Sequence, residues 1–287
     1  MSAAGTRPRG AGRKAPPAGH RRPPAAKRFG QHHLVDRGTL AAILELAAVE
    51  PGDVVLEVGA AGGLLTRHLA QQAAHVHAFE IDRRFAAELL ALAAARPTVS
   101  VYIGDAMKAP LMELEPAPTA LVANLAYSIA IPLIMTTIAA LPSMRRWAVM
   151  VQKELAERLF AAPGSKAYAA VSVLTQLACE LRASRPVPRT VFAPRPRVDS
   201  AFIVFERRKG GLKGREHAAV DRLVRAAFGQ RRKLLVNSLS GASIAGHAVT
   251  RSEALRAVTA LGLPPTTRPE ELAPPRFVDL AGALGWL

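Results

Sequence analysis

The segment Asn124-Leu125-Ala126-Tyr127 follows an apolar run at residues 119–123 and contains residue types that can hold a flat base. An asparagine oxygen and the backbone carbonyls after it can accept hydrogen bonds from an exocyclic amino group. A tyrosine ring at the same strand end can stack on the face of the base. Because Asn and Tyr at a strand end also make ordinary turns, the segment predicts a base-binding site only together with the residues around it.

Three further elements have the chemistry of a nucleotide pocket. Residues 54–63 read VVLEVGAAGG, a buried strand that runs into a Gly-rich turn where the backbone can approach a ligand. Glu80 ends the next predicted strand and can accept both hydroxyls of a ribose, while Asp105 follows the third and can accept an adenine amino group. The glycine spacing differs from the dinucleotide fingerprint. This order of turn and acids is typical of S-adenosylmethionine-dependent methyltransferases.

The elements that must position these residues form an alternating pattern. Continuous apolar strands alternating with helices predict an α/β, Rossmann-like parallel sheet covered on both faces. Strands are predicted at residues 54–59, 76–81, 99–103, 121–125 and 147–151, with helices near 64–72, 83–95, 131–140 and 153–161. A helix near 170–179 and an alternating strand at 201–205 complete this domain. Beyond a linker at 207–214, helices near 216–228, 233–240, 252–261 and 276–284 predict a small all-helical domain.

Charge and composition indicate the partners. The net charge is +16, and residues 1–28 contain eight Lys and Arg and no acid. We expect a disordered basic arm at 1–26, a catalytic domain at 27–208 and a helical domain at 209–287, with polyanions as partners. A second basic cluster lies between 213 and 233. A solubilising tail, a transit peptide and a solvated helix face are the alternative interpretations of the two clusters.

Other features exclude several classes of protein. We find no charge-free apolar stretch of the roughly 18 residues that indicate a membrane span, and no secretory signal pattern. Cys179 is the only cysteine, so an internal disulfide is excluded and no metal site is expected. These features predict a cytoplasmic protein.

The chain resembles the ribosomal RNA adenine N6-dimethyltransferases from about Lys27 to the C-terminus. The motifs that carry the resemblance are RFGQHHL at 28–34, KAY at 166–168, FAPRPRVDS at 192–200, RRK at 231–233 and RPE at 268–270, beside the segment at 124–127. The resemblance implies S-adenosylmethionine as cofactor and dimethylation of adenosines near the 3′ end of small-subunit (16S) rRNA. It also implies a role in ribosome assembly, with small-subunit rRNA or the 30S particle as the partner. The resemblance further implies that the protein is a monomer.

The resemblance also assigns the site residues. It implies a cofactor pocket lined by His32, Leu34, Gly59, Glu80, Asp105 and Asn124, and a target adenine held by Asn124, Leu125, Tyr127 and Phe192. The Asn124 side chain and the Leu125 carbonyl would accept the N6 hydrogens and aim the nitrogen lone pair at the methyl group. Such a transfer depends on positioning more than on a strong base.

Four residues depart from the usual family pattern, and all lie in or beside the pocket. Ala126 replaces Pro, Ser128 replaces Asn, Ala61 lies in a turn that usually has Gly, and His33 replaces Phe. These departures leave a second hypothesis open, an rRNA-binding assembly factor with weakened or lost catalysis. The further alternatives are a large-subunit (23S) rRNA methyltransferase that gives antibiotic resistance and a small-molecule methyltransferase, which the basic arm disfavours.

Overall fold

The computed structural model describes residues 31–212, 214–230, 233–244 and 247–287. The predicted basic arm, the start of the first motif at 28–30, and the basic residues at 213, 231 and 232 lie outside these ranges. Within the described ranges, no helix combines the length and the apolar character needed to cross a membrane.

The strands before residue 208 are β1 (His33–Leu34), β2 (Val54–Val58), β3 (His75–Glu80), β4 (Val99–Ile103), β5 (Ala120–Asn124), β6 (Arg146–Gln152), β7 (Cys179–Val187), β8 (Phe192–Ala193) and β9 (Ser200–Arg207). The helices of this region are α1 (Arg37–Ala47), α2 (Leu64–Leu69), α3 (Ala86–Ala95), α4 (Ala130–Ala140), α5 (Lys153–Leu159) and α6 (Ala170–Ala178). Short 3₁₀ turns include Arg83–Phe85, Ala106–Lys108 and Arg189–Val191.

Seven strands form one sheet in the order β4-β3-β2-β5-β6-β9-β7. The first five of these strands pair in parallel, as the continuous apolar runs predict. All five residues of β2 are buried, because both faces of the sheet are covered. Leu56 packs in the core cluster that includes Leu133 of α4, and Val55 packs in the cluster that includes Ile43 of α1. This arrangement is an α/β fold of the Rossmann-like type.

The sheet as a whole is mixed, which the sequence pattern does not predict. The strand predicted at 201–205 is β9, and it runs antiparallel to both β6 and β7. Strand β7 is absent from the prediction because Arg182, Arg185 and Pro186 interrupt any apolar run. Since β7 lies at the edge of the sheet and pairs on one side only, it tolerates a proline and charged side chains.

The described residues of the C-terminal region include the α-helices α7 (Gly214–Phe228), α8 (Leu235–Leu239), α9 (Arg251–Ala260) and α10 (Pro274–Ala283). A hairpin of two-residue strands, β10 (Ser243–Ile244) and β11 (His247–Ala248), accompanies them, so the region is mainly rather than purely helical. Tyr168, from the KAY motif, packs in the same core cluster as α7 and α10 and donates a hydrogen bond of 2.7 Å to the Leu272 carbonyl. Since this cluster joins residues on both sides of position 208, the domain boundary there stays a prediction.

Candidate active site

A cavity of about 250 Å³ lies at the carboxyl ends of the parallel strands, where open α/β sheets bind ligands. The residues that the sequence assigns to the site and that line this cavity are His32, Gly59, Glu80, Asp105, Asn124, Leu125, Tyr127 and Phe192. Leu34 does not line it and instead faces a smaller neighbouring cavity of about 70 Å³. Tertiary structure therefore gathers residues that are up to 160 positions apart in the sequence.

Asn124 ends β5 and its amide is oriented by the backbone of the first motif. Its Nδ2 donates a hydrogen bond of 3.0 Å to the carbonyl of His32. Because the amide nitrogen is engaged in this way, Oδ1 is the acceptor of the side chain, and it has no hydrogen-bond partner within residues 31–212. Leu125 follows with its backbone N–H donating to the Met150 carbonyl at 3.1 Å. The strand end is thus held by β6 and by the N-terminal segment.

Tyr127 lies in the turn between β5 and α4, and its ring is fixed at the hydroxyl end. The Tyr127 hydroxyl lies 3.0 Å from the Ser200 hydroxyl, and Ser200 is 1% exposed at the start of β9. The imidazole of His32 stands beside the phenol with ring centroids 5.8 Å apart. The turn closes through a 3.1 Å hydrogen bond from the Ile129 N–H to the Ala126 carbonyl, so alanine at 126 forms the turn without proline.

The N-terminal segment crosses the cavity as a strap between two parts of the domain. Strand β1 pairs antiparallel with β8, with Leu34 opposite Phe192. The His32 Nδ1 lies 2.8 Å from the carbonyl of Pro194, and because a carbonyl only accepts, this nitrogen carries the hydrogen. At the other end, Gln31 donates to the Asp82 carboxylate at 3.2 Å. The strap therefore ties Phe192 to the cofactor side of the site.

Glu80 is held against the Gly-rich turn by backbone hydrogen bonds. Its Oε2 accepts from the Ala61 N–H at 2.7 Å and its Oε1 accepts from the Asp82 N–H at 2.8 Å. The side chain is 3% exposed, and burial raises the pKa of the Glu80 carboxyl. Each carboxylate oxygen has a second lone pair, so Glu80 can still accept ribose hydroxyls.

Asp105 and Gly59 complete the cofactor side. One Asp105 oxygen accepts from the Met107 N–H at 3.0 Å as the cap of a 3₁₀ turn, which leaves acceptor capacity for a ligand amino group. Gly59 has a φ of +88°, a left-handed conformation that favours glycine. Two carboxylate acceptors beside a glycine turn fit the hydroxyl and amino donors of an adenosyl group. Among the described residues, no cluster of His, Cys, Asp or Glu has the arrangement of a metal site.

Ala61 adopts a left-handed conformation with a φ of +47°, and Ala48, at the end of α1, has a φ of +46°. An L-residue in this region is strained by roughly 1–2 kcal/mol, whereas glycine is not, although glycine costs about 0.5–1 kcal/mol of chain entropy. We expect Ala61→Gly and Ala48→Gly each to raise the free energy of unfolding by about 0.5–1 kcal/mol in urea titrations.

The two variants differ in their relation to the cavity. Ala61 lines the cavity, where its methyl group limits how closely a ligand can approach the backbone, whereas Ala48 does not line it. We therefore expect only Ala61→Gly to tighten the binding of S-adenosylhomocysteine, measured by calorimetry. A loss of stability in Ala61→Gly but not in Ala48→Gly would show that the methyl group at 61 makes needed contacts.

Glu57, to which the sequence assigns no role, is a carboxyl buried inside the apolar strand β2. It is 2% exposed, lines the smaller cavity with His33 and Leu34, and its Oε2 has no hydrogen-bond partner among the described residues. Burial raises the pKa of Glu57 to about 8, and the charge of Glu80 acts in the same direction. An acid within an otherwise apolar strand is the sequence signal that points to it.

This carboxyl makes stability depend on pH. Because the folded state holds a proton that the unfolded state releases above about pH 4.5, wild-type stability falls as the pH rises from there through about 8. Glu57→Gln removes this loss. Between pH 5 and pH 9, the free energy of unfolding of the variant relative to that of wild type should therefore rise by on the order of several kcal/mol. Urea unfolding at both pH values measures it, with the exposed Glu154→Gln as control. A parallel pH dependence in wild type and Glu57→Gln would contradict the assignment.

The sequence of this chain is similar to one family over most of its length. Residues 24–257 match the family described as Ribosomal RNA adenine dimethylase. A protein of Kineococcus radiotolerans named Ribosomal RNA small subunit methyltransferase A is 43% identical over 260 residues, which cover 89% of this chain and 84% of that protein. A protein of the same name from Rubrobacter xylanophilus is 42% identical over 254 residues, 88% of this chain and 93% of that protein.

Solved structures are similar in fold over the same extent. A dimethyladenosine transferase from Plasmodium falciparum superposes with a TM-score of 0.72 at 25% identity, covering 88% of this chain and 98% of that one. The 23S rRNA methyltransferase ErmE superposes with a TM-score of 0.65 at 27% identity, covering 88% and 99%. Both similarities extend beyond the sheet into the C-terminal helices.

Proposed function

The chain belongs to the ribosomal RNA adenine dimethylase family, and from that premise we propose that it transfers two methyl groups from S-adenosylmethionine to N6 of adenosines near the 3′ end of 16S rRNA. One observation supports the proposal most strongly. The residues assigned to the base and those assigned to the cofactor line the same cavity: Asn124, Tyr127 and Phe192, together with Glu80 and Asp105. A base site and an adenosyl site thus share a wall at the end of β5. The protein is an rRNA adenine dimethyltransferase.

Asn124 performs the central step of base recognition. Its Oδ1, left free by the bond from Nδ2 to the His32 carbonyl, accepts one N6 hydrogen, and the Leu125 carbonyl accepts the other. These bonds favour a pyramidal nitrogen whose lone pair points away from the acceptors and toward the cofactor side. Because the methylated nitrogen is acidic and releases its proton readily, positioning supplies most of the catalysis and no strong base is needed.

The two aromatic rings hold the plane of the base. Tyr127 is braced by Ser200, and Phe192 is anchored by the pairing of β8 with β1. Base–aromatic stacking contributes about 1–3 kcal/mol per base, and a base is reachable in this way when it lies in a single-stranded loop. The second transfer requires the same site to accept the monomethylated amine.

We assign the cofactor side to His32, Gly59, Glu80, Asp105 and Asn124, which line the cavity, whereas Leu34 lines the smaller neighbouring cavity. S-adenosylmethionine supplies an electrophilic methyl group when bound. Glu80 would hold the ribose hydroxyls, Asp105 the adenine amino group, and the glycine at 59 the close approach of the backbone. The alanine at 61 is compatible with the turn, since its N–H makes the 2.7 Å bond that orients Glu80.

The alternatives are not favoured. Identity of 43% with a small-subunit enzyme against 27% with ErmE points to small-subunit rather than 23S rRNA. A catalytically failed assembly factor is disfavoured because the base-holding and ribose-holding side chains are all present and gathered in one cavity. We propose that the chain acts as a monomer on the 30S particle and assists its assembly.

The test is methyl transfer from labelled S-adenosylmethionine to undermethylated small ribosomal subunits and to naked 16S rRNA, with the nucleosides identified by mass spectrometry. Dimethyladenosine in 16S rRNA is the expected product, and 23S rRNA should remain unlabelled. Binding of subunits without transfer would replace the proposal by a non-catalytic assembly role.

A further inference from the structure

Three exposed arginines lie within five residues of Phe192 in the sequence. Arg189 lies in the 3₁₀ turn before β8, and Arg195 and Arg197 follow β8. We call these residues the arginine rim. In the part of the chain that the structure describes, none of the three forms an ion pair with an acidic side chain. The rim therefore presents three guanidinium groups without ion pairs close in sequence to Phe192, and two of them, Arg189 and Arg197, line a separate cavity that also contains the carboxylates of Glu154, Glu157 and Asp199.

Several arginines elsewhere in the same domain form ion pairs. At the opposite end of the strands, Arg145 pairs with the Asp53 carboxylate at 3.1 Å and Arg146 pairs with it at 3.6 Å. On the exposed strand β7, Arg182 pairs with Glu206 at 2.8 Å. The three rim arginines differ from these in having no carboxylate partner among the described residues.

The rim is held in place rather than carried on a free loop. The Arg189 N–H donates to the Asp199 carboxylate at 3.2 Å, and its guanidinium donates to the Arg197 carbonyl at 3.4 Å. On the other side, the Val35 N–H donates to the Val191 carbonyl at 2.9 Å. Prolines at 188, 194 and 196 restrict the backbone further. Charges on such a scaffold keep a constant distance from Phe192.

We propose that the arginine rim binds the phosphates of the nucleotides that flank the adenosine held by Asn124, Tyr127 and Phe192. The inference rests on the proposed function and adds the surface that holds the substrate strand. Extruding one base into the cavity leaves its neighbouring phosphates at the cavity mouth. Guanidinium groups match phosphate geometry through paired hydrogen bonds, and contacts of this kind position a strand without reading its sequence.

The experiment measures how RNA affinity depends on salt. The probe is a synthetic 16S rRNA hairpin that carries the target adenosines in its loop, titrated with wild type and with the triple variant Arg189→Gln, Arg195→Gln, Arg197→Gln. Each single-strand phosphate contact contributes about 0.7 to the slope of log affinity against log salt, so the triple variant should lose about 2 from the slope. Arg96→Gln is the matched control, since Arg96 follows α3 at the opposite end of the strands, and it should leave the slope unchanged.

Two readouts separate the outcomes. Affinity for S-adenosylhomocysteine should be equal in all variants, which shows that the fold is intact; if the triple variant fails to fold, Arg195→Gln alone should lose about 0.7 from the slope. An unchanged slope in the triple variant overturns the proposal. If wild type transferred no methyl group while the slope still fell, the proposed function would fail and the RNA surface would stand.

Discussion

Asn124→Ala is expected to reduce methyl transfer to small subunits by about 10²–10³-fold, the cost typical of removing one preorganised group from a polar catalytic site. The change removes the Oδ1 that accepts an N6 hydrogen and also the Nδ2 bond of 3.0 Å to the His32 carbonyl. The nitrogen lone pair then stays delocalised into the adenine ring, and the strap loses one attachment to β5. Single-turnover transfer with saturating cofactor measures the effect on the chemical step.

The chain contains one other asparagine, and it supplies the control. Asn237 lies in α8, outside the cavity lining, so Asn237→Ala should transfer at the wild-type rate. RNA affinity of Asn124→Ala should stay close to wild type, because the phosphate-binding groups are unchanged. If Asn124→Ala kept the wild-type transfer rate, the assignment of the base site to the end of β5 would be wrong.

Glu80→Gln is expected to weaken S-adenosylhomocysteine binding by roughly 10–100-fold, since hydrogen bonds to a charged group are worth about 1.5–3 kcal/mol. The carboxylate accepts two backbone N–H groups, from Ala61 and Asp82, and still faces the cavity. A glutamine amide has one acceptor oxygen only, so its NH₂ would oppose one of these N–H donors. The turn and the ribose contact are therefore both disturbed. Isothermal titration calorimetry gives the affinity directly.

Glu88→Gln is the matched control for this change. Glu88 lies in α3 beside the same turn and pairs with Arg67 at 3.5 Å, but it is outside the cavity lining and well exposed. Its substitution should leave the affinity within about twofold, because Glu88 does not line the cavity and its ion pair with Arg67 is exposed and weak. Equal losses in both variants would mean that general acidity near the turn, rather than the Glu80 carboxylate, holds the cofactor.

Several parts of the fold are predictable from local sequence. The runs that become β2 to β6 are continuous and apolar because parallel strands are buried on both faces, so each strand could be located from its own residues. Strand β7 could not be located in this way. An edge strand that includes Pro186 and exposed arginines has no local pattern that distinguishes it from a loop. Its position depends on pairing with β9, a contact that the sequence around it does not encode.

The candidate site divides in the same way. The residue types and the strand ends that bear them could be read from local patterns, since Asn124, Glu80 and Asp105 each lie at the end of a recognisable apolar run. Which groups face the cavity, and whether their polar atoms have partners, depends on tertiary contacts. They placed Leu34 in the second cavity, joined Tyr127 to Ser200, and left the buried Glu57 carboxyl without a partner at Oε2 among the described residues. The difference arises from the distance along the chain between the residues involved. Strand patterns depend on sequence neighbours, whereas hydrogen-bond partners and desolvation depend on residues distant in sequence that folding brings together.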